Sequence, residues 1–431
     1  MDKQKLDVAV VGGGPGGLFA ALALLESGQV DRIKVFERSQ GYRPCGAGIT
    51  VDVNGMKAVK AVHPGLCSRL EAAGVDFASF EEFDQYGQKH ADRASLPIAQ
   101  LDSADKLKKY GVKPGMISWS DIQQMIFETL PEGTVQFGQA LSSFSQDEDG
   151  VRLSFEGQPD VHANFLVSAD GYLSPTREAL LGDGPPPFAG VMMWRARFPF
   201  KEGLGLPQGP EWAQAFIGGS RNAVVYGLAG NVVCWTIAVP LSICQENGVD
   251  FDAEQFATSK TRRQVSSYQN MQSDSTTTGN FHQRCMQAVQ GFAPQFVEYV
   301  RNTDPSTMIE HGLFARTGDQ MSSRADVGWG KGRVTLIGDA AHPMRPTGQG
   351  LNTALEDGAV LGWHVQDQGL TAEALRSFEK ERIPRICKIA EQESARGRLA
   401  YQKDAKDSRS DLWGRNYKPT AKAAVTANSV M

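Results

Sequence analysis

Residues 12–17 read Gly-Gly-Gly-Pro-Gly-Gly, directly after the apolar run Leu6–Val11 (LDVAVV) and directly before a stretch that reads as a helix from Leu18 to Ser27. A short apolar, β-branched run fits a buried strand. Ile33–Glu37 (IKVFE) reads as the next strand, which makes a βαβ unit of about 30 residues. Gly12, Gly14 and Gly17 fit G-x-G-x-x-G, with Pro15 and Gly16 inside the turn. The physical roles follow from the missing side chains. Gly12 permits the tight turn, Gly14 lets a pyrophosphate approach, and Gly17 lets helix and strand pack, while the helix N-terminus attracts the anion. Glu37, twenty residues beyond Gly17, is placed to accept hydrogen bonds from ribose hydroxyls. Arg38 beside it can reach an adenosine phosphate or lie in solvent. The pattern predicts dinucleotide binding without separating NAD from FAD.

The remaining composition narrows the class. The chain has 431 residues, 41% of them hydrophobic, and a net charge of −5. That supports a sizeable core and argues against a nucleic-acid or anionic-membrane binder. The basic run Lys260-Thr261-Arg262-Arg263 reads as a solvated surface. Cys45, Cys67, Cys234, Cys244, Cys285 and Cys387 form no C-x-x-C pair, so neither a zinc site nor a disulfide framework is expected. A reducing compartment is expected: the cytoplasm, or an organelle if a targeting segment was removed. No run reaches the roughly 18 apolar residues of a membrane span.

Further along, Ser118–Leu130 reads as a helix, Val151–Phe155 as a hairpin strand, and Phe165–Asp170 as a buried strand ending in an acid. From Val191 to about Pro240 the pattern changes to alternating segments (VMMWRARF, EWAQAFIG, NAVVYGL, NVVCWTIAV), expected to form an antiparallel sheet in a second, inserted domain. Helical segments from about Phe281 to Arg301 and a strand near Ile309 to Ala315 follow. Val334–Gly338 returns to the first domain, and Leu351–Gln366 and Ala372–Tyr401 read as helices. The polar tail from Asp404 is expected to be mobile.

Two later motifs identify the cofactor class. One is Asp170-Gly171-Tyr172-Leu173-Ser174-Pro175-Thr176-Arg177, of form D-G-x-x-S-x-x-R. The other is GDAAHPMRPTGQGLN, residues 338–352. Together with the N-terminal fingerprint, Arg43, Gly46–Ile49, Asn54, Phe378-Glu379, Arg382 and Pro384-Arg385, they resemble the group A flavoprotein monooxygenases. These are the aromatic hydroxylases of the p-hydroxybenzoate and salicylate type, and the zeaxanthin epoxidases. The resemblance implies an α/β fold: a Rossmann-like FAD-binding domain of the glutathione-reductase type, an inserted mostly antiparallel substrate domain, and C-terminal helices. The expected boundaries are 1–186 and 326–403 for the FAD-binding domain, 187–325 for the substrate domain and 404–431 for the tail. It implies FAD as cofactor, NAD(P)H as a transient co-substrate, O₂, and a small aromatic or isoprenoid substrate, hydroxylated or epoxidised through a C4a-hydroperoxyflavin. A monomer or homodimer is expected.

By the same resemblance, Asp339 would bond the ribityl chain, and the backbone of Gly350, Leu351 and Asn352 would face the pyrimidine edge of the flavin. N–H groups at a helix start stabilise the negative charge of a reduced ring. Arg43 and Gly48 would also lie at the cofactor, and Asp170 on its pyrophosphate side. Arg177 would pair with Asp170, with a phosphate, or in a structural ion pair. Met193, Phe216, Tyr226 and Trp235 are candidates to line the substrate cavity, with Arg195 to orient an acidic substrate and Pro346 bordering the ring. A structural role is expected for His342. Two departures stand out. The turn Pro346-Thr347-Gly348-Gln349-Gly350 is one residue shorter than the family's, and Trp119 stands where relatives carry an arginine, with Gln123 one turn on as a replacement contact. The competing readings are a flavin reductase of carbon–carbon double bonds, of the geranylgeranyl reductase kind, and a non-enzymatic prenyl-binding relative.

Overall fold

The computed structural model describes residues 5–42, 47–90, 103–249, 275–322, 327–399 and 410–424. Arg43, Cys45 and the basic run 260–263 lie outside these residues. Leu6–Val11 is the central strand of a seven-stranded sheet, parallel to Ile33–Phe36 on one side and to the second half of Gln158–Ser168 on the other. Val135–Gln136 extends the parallel part beyond Ile33–Phe36, and Val334–Leu336 extends it beyond Gln158–Ser168. The first half of Gln158–Ser168 instead pairs antiparallel with Val151–Phe155, which pairs with Leu141–Gln146. One strand of eleven residues therefore serves two partners in succession.

Behind the parallel strands, helix Pro15–Glu26 lies against helix Gly350–Gln368. Missing side chains set how closely they approach. A Cβ on Gly358 would stand 2.8 Å from the Phe19 ring, and one on Gly362 would stand 2.8 Å from the Ala23 carbonyl oxygen. Near their starts the two helices touch again, where a Cβ on Gly16 would stand 3.1 Å from the Ala354 Cβ. The two N-termini are thus held side by side.

The second sheet has six strands in the order Ile309–Phe314, Phe188–Pro199, Val232–Pro240, Arg221–Leu228, Trp212–Gly218 and Ser79–Asp84. All neighbours are antiparallel except the last pair, so a segment from the first part of the chain completes its edge. Alternation sorts its side chains between two faces. One face carries Met192, Trp194, Phe198, Phe216, Trp235 and Ile237 into a core closed by helices Ser275–Ala288 and Pro294–Arg301. The helical segments expected between Phe281 and Arg301 are two helices, divided where Gly291 turns the chain at φ +67° and Pro294 starts the second. The opposite face carries Met193, Arg195 and Arg197 towards the first sheet's side of the molecule.

The C-terminal tail is a correction. Residues 410–424 are docked on the helices behind the cofactor groove. Trp413 and Thr420 are buried. The Thr420 N–H donates to the Ala61 carbonyl at 2.9 Å, and its hydroxyl donates to the Val62 carbonyl at 3.0 Å. These are orphan carbonyls at the end of helix Val53–Val62, and capping them fixes the tail. Among the described residues, no helix is long and apolar enough to cross a membrane.

Candidate active site

The groove forms where the two paired helices begin. Neither N-terminus carries a side-chain cap: Gly14 precedes the first helix and Gln349 the second. Their first N–H groups keep the capacity to bind an anion. The glycines divide into two kinds. A Cβ on Gly12, at φ +106°, would sit 2.2 Å from the Ala169 oxygen, and one on Gly17 would sit 2.0 Å from the Gly12 oxygen. Protein already fills those sides. A Cβ on Gly14 or on Gly348 would meet nothing within 4 Å, and one on Gly350 would meet only the Asp339 carboxylate at 3.8 Å. These faces form a continuous cradle without side chains.

Polar groups hold the cradle from behind. Glu37 accepts the Gly13 N–H at 2.7 Å and the Ser39 N–H at 2.8 Å, so it braces the glycine turn. Arg38 is exposed. Gln123 is buried and donates to the Gly13 carbonyl at 2.7 Å, so the residue one turn beyond Trp119 supports the turn rather than reaching past it. Asp170 accepts the Thr176 hydroxyl at 2.7 Å through one oxygen, while its other oxygen is buried without a hydrogen bond. That leaves a strong acceptor unspent beside the glycine turn.

Of the three roles open to Arg177, the structure shows the structural ion pair. Arg177 pairs with Asp183 at 2.7 Å, and it donates to the carbonyls of Ala340 and Ala341. The helix Pro175–Leu181 ends at Gly182 in the left-handed region, and this returns Asp183 to the arginine. Arg177 therefore clamps the turn after Asp339 and does not reach Asp170.

The turn 338–352 is also fastened from the other side, by a buried charge network that sequence reasoning did not assemble. Arg382 donates to Asp357 at 2.7 Å, to Glu356 at 2.5 Å and to the Thr353 carbonyl at 3.1 Å. Arg385 forks onto Glu356 with two contacts of 2.6 Å. Asp357 in turn bonds His342 Nε2 at 2.6 Å and accepts the Gly338 N–H at 2.8 Å. His342, Glu356, Asp357 and Arg382 are all at 0% exposure, which fits the structural role expected for His342. Burial raises both carboxyls, but Arg382 and Arg385 outweigh it at Glu356, and His342, Arg382 and the Gly338 N–H outweigh it at Asp357, leaving both below their ordinary range. Asn352 holds a third seam: its amide donates to the carbonyls of Thr50 and Gly348 and accepts the Asp52 N–H at 2.8 Å. Its backbone remains at the helix start, as does that of Leu351.

Asp339 opens onto the groove, yet the protein packed around it pushes its carboxyl upward. The charges of His342 and Arg195 oppose that shift. The near face of the second sheet is turned to the first domain, since Arg197 on it reaches the Ser118 and Ser120 hydroxyls at 3.5 Å and Arg195 lies two residues away on the same face. Met193 shares that face, opposite Ala238 and His311. Pro346 lies exposed on the turn. Tyr226 is on the near face as well, but it is spent on the junction: its hydroxyl donates to the Gly48 carbonyl at 3.0 Å, and a Cβ on Gly48 would stand 2.8 Å from its ring.

Phe216 and Trp235 do not line the groove. Phe216 stacks on Phe83 at 4.9 Å, and Trp235 donates from its indole to Thr303 at 2.8 Å, both in the core on the far face. Arg195 pairs with Thr236 and Met193 with Ala238, so Trp235 is one step out of phase with them.

The profile of the FAD binding domain family matches residues 5–222 and 241–393. A 3-amino-4-hydroxybenzoate 2-monooxygenase of Streptomyces cremeus is 29% identical over 395 residues, 90% of this chain and 86% of that protein. An FAD-dependent urate hydroxylase of Klebsiella pneumoniae is 27% identical over 92% of this chain and 90% of its own length. Among solved structures, Klebsiella pneumoniae HpxO complexed with FAD and uric acid superposes with TM-score 0.69 at 23% identity, covering 95% of this chain and 93% of that one. CtdE in complex with FAD and a substrate superposes with TM-score 0.71 at 17% identity, covering 99% and 98%. The open glycine cradle, the two uncapped helix starts and the unspent Asp170 oxygen fit the phosphates, ribose and ring of one flavin nucleotide, and the chain belongs to the FAD binding domain family.

Proposed function

We propose that this chain is an FAD-dependent monooxygenase that takes electrons from NAD(P)H and uses O₂ to hydroxylate a small aromatic substrate. The observation that carries the reading is the meeting of two uncapped helix N-termini and Asp339 on one groove, with the Met193–Arg195 face of the second sheet turned to the same domain. Bound FAD supplies the hydride acceptance and the oxygen chemistry. The chain's own groups hold and tune it. The start at Gly14 receives the phosphates, Glu37 and Asp170 accept hydroxyl or water hydrogens, and Asp339 accepts from the ribityl chain. The N–H groups of Gly350, Leu351 and Asn352 stabilise negative charge at the ring edge, an effect of about 0.3–2 kcal/mol for a helix terminus. Met193 and Pro346 wall the substrate space and exclude water. The relatives' names support an aromatic substrate such as a hydroxybenzoate or a purine.

The test is oxidation of NADH and NADPH, with oxygen uptake, by the purified flavoprotein against 3-amino-4-hydroxybenzoate, 4-hydroxybenzoate, 6-hydroxynicotinate and urate. Stimulated and coupled consumption with a hydroxylated product is the expected result. Reduction of alkenes without oxygen uptake would contradict it, as would a protein that takes up no flavin.

A further inference from the structure

Strand Phe188–Pro199 pairs with Ile309–Phe314 so that Met193 lies opposite His311 and Arg195 opposite Ile309. Arg195 and His311 are therefore diagonal neighbours on the groove-facing side. An Arg195 Nη stands 2.7 Å from His311 Nε2, and His311 Nδ1 stands 3.1 Å from the Gly312 carbonyl oxygen. A guanidinium only donates, so Nε2 must offer its lone pair. A carbonyl only accepts, so Nδ1 must carry the hydrogen. The imidazole is thus fixed as one neutral tautomer. The packing around it and the charge of Arg195 push its pKa down to about 3, which keeps it neutral at any working pH.

Arg195 is oriented without an ion pair: the Asp339 carboxylate feels its charge, but no salt bridge joins the two among the described residues. Among the described residues its side-chain hydrogen bond runs to this uncharged ring, and its Nε is buried with no hydrogen-bond partner. Across the sheet on the same face come Thr236, Val224 and Ala215, all short, and then the acid Glu82, four strands away. The arginine charge therefore faces a space with small walls and an acceptor still to be supplied. A buried donor without an acceptor is costly, and an anionic oxygen removes that cost.

We infer that His311 is a positioning residue that holds the Arg195 guanidinium as the anchor for an anionic oxygen of the aromatic substrate, a carboxylate or phenolate. The inference rests on the flavin hydroxylase reading above. The charge of a reduced ring is met elsewhere, at the N–H groups of Gly350 to Asn352, which leaves the guanidinium for the substrate.

The experiment uses the FAD-loaded protein and follows flavin absorbance on titration with 3-amino-4-hydroxybenzoate and with its methyl ester. The wild type should prefer the acid by about tenfold or more. His311→Phe should raise the Kd of the acid about tenfold with little change for the ester, and should lower kcat/KM more than kcat. His311→Gln, whose amide oxygen accepts from Arg195, should recover most of the loss. Arg195→Gln should abolish the preference, and these two variants carry the test if His311→Phe does not fold. Equal binding of acid and ester by the wild type would overturn the inference. So would a wild type that binds neutral phenols but none of 4-hydroxybenzoate, urate or 6-hydroxynicotinate. A His311→Phe protein with a shifted flavin potential and an unchanged acid-to-ester ratio would place the guanidinium on the flavin and also overturn it. A wild type that holds no flavin would strike the hydroxylase reading itself.

Discussion

Replacing Arg382 with methionine removes the central cation of the buried network while keeping most of its volume. Arg382 is at 0% exposure and binds Asp357, Glu356 and the Thr353 carbonyl. Removing one partner of a buried ion pair costs about 3–5 kcal/mol, because a charge is left desolvated and uncompensated. Glu356 keeps Arg385 and the Asn54 amide, so its share of the loss is the smaller. Asp357 keeps His342 and the Gly338 N–H on one oxygen and loses everything on the other. The damage therefore concentrates where the strand Val334–Leu336 enters the flavin turn. Unfolding entropy of roughly 2.1 cal/mol/K per residue over a chain of 431 residues converts each kcal/mol to about 1 °C. The apparent melting midpoint, followed by circular dichroism, should fall by about 3–5 °C, with faster FAD release at a fixed temperature. Adding Asp357→Asn to Arg382→Met should restore at least half of the loss, since the carboxylate left without its arginine is then neutral while Glu356 keeps Arg385. A midpoint within about 1 °C of wild type, or a double variant no better than the single one, would refute this account of the network.

Other expectations follow from the same geometry. Gly12→Ala should fail to fold or lose at least about 2 kcal/mol, because its Cβ would strike the Ala169 oxygen at 2.2 Å and φ is +106°. Gly14→Ala should fold, because its Cβ meets open space, yet should weaken FAD binding about tenfold in a fluorescence titration. Glu356 and Asp357 are held below their ordinary values of 4.5 and 3.8, so the stability they contribute is fully present above those values. It is lost as pH falls through the lowered ones. Urea unfolding from pH 6 down to pH 3 should therefore show the wild type's advantage over Arg382→Met shrinking only at the acid end. Truncation after residue 409 uncaps the Ala61 and Val62 carbonyls and removes buried Trp413; it should cost about 2–4 kcal/mol, read as a lower melting midpoint.

How much could be read beforehand depended on range. The strand–turn–helix at Leu6–Glu26 is local, and its glycines, its apolar run and Glu37 all sit within one βαβ unit. The turn at 338–352 is equally local, because its prolines and glycines state their own backbone needs. The seams that fasten it are not local. Asp52 meets Asn352 and Asn54 meets Glu356 across about three hundred positions, and only adjacent acids inside an otherwise apolar helix hinted at them. The second sheet misled for another reason. Helices cover one face and the groove wall lies on the other, so both faces carry apolar residues and alternation does not say which is which. Met193 and Arg195 fell on the near face, and Phe216 and Trp235 on the far one. The tail misled through composition: its polar residues suggested mobility, while Trp413, Tyr417 and Thr420 at three- and four-residue spacing were the signal of a docked segment.

Equilibrium titration of the flavin-stripped protein with FAD, followed by flavin fluorescence, tests the central claim most directly. The account predicts saturable quenching at a ratio of one flavin per chain, weakened when Asp339 is replaced by alanine. Absence of saturable binding, or binding indifferent to Asp339, would contradict it.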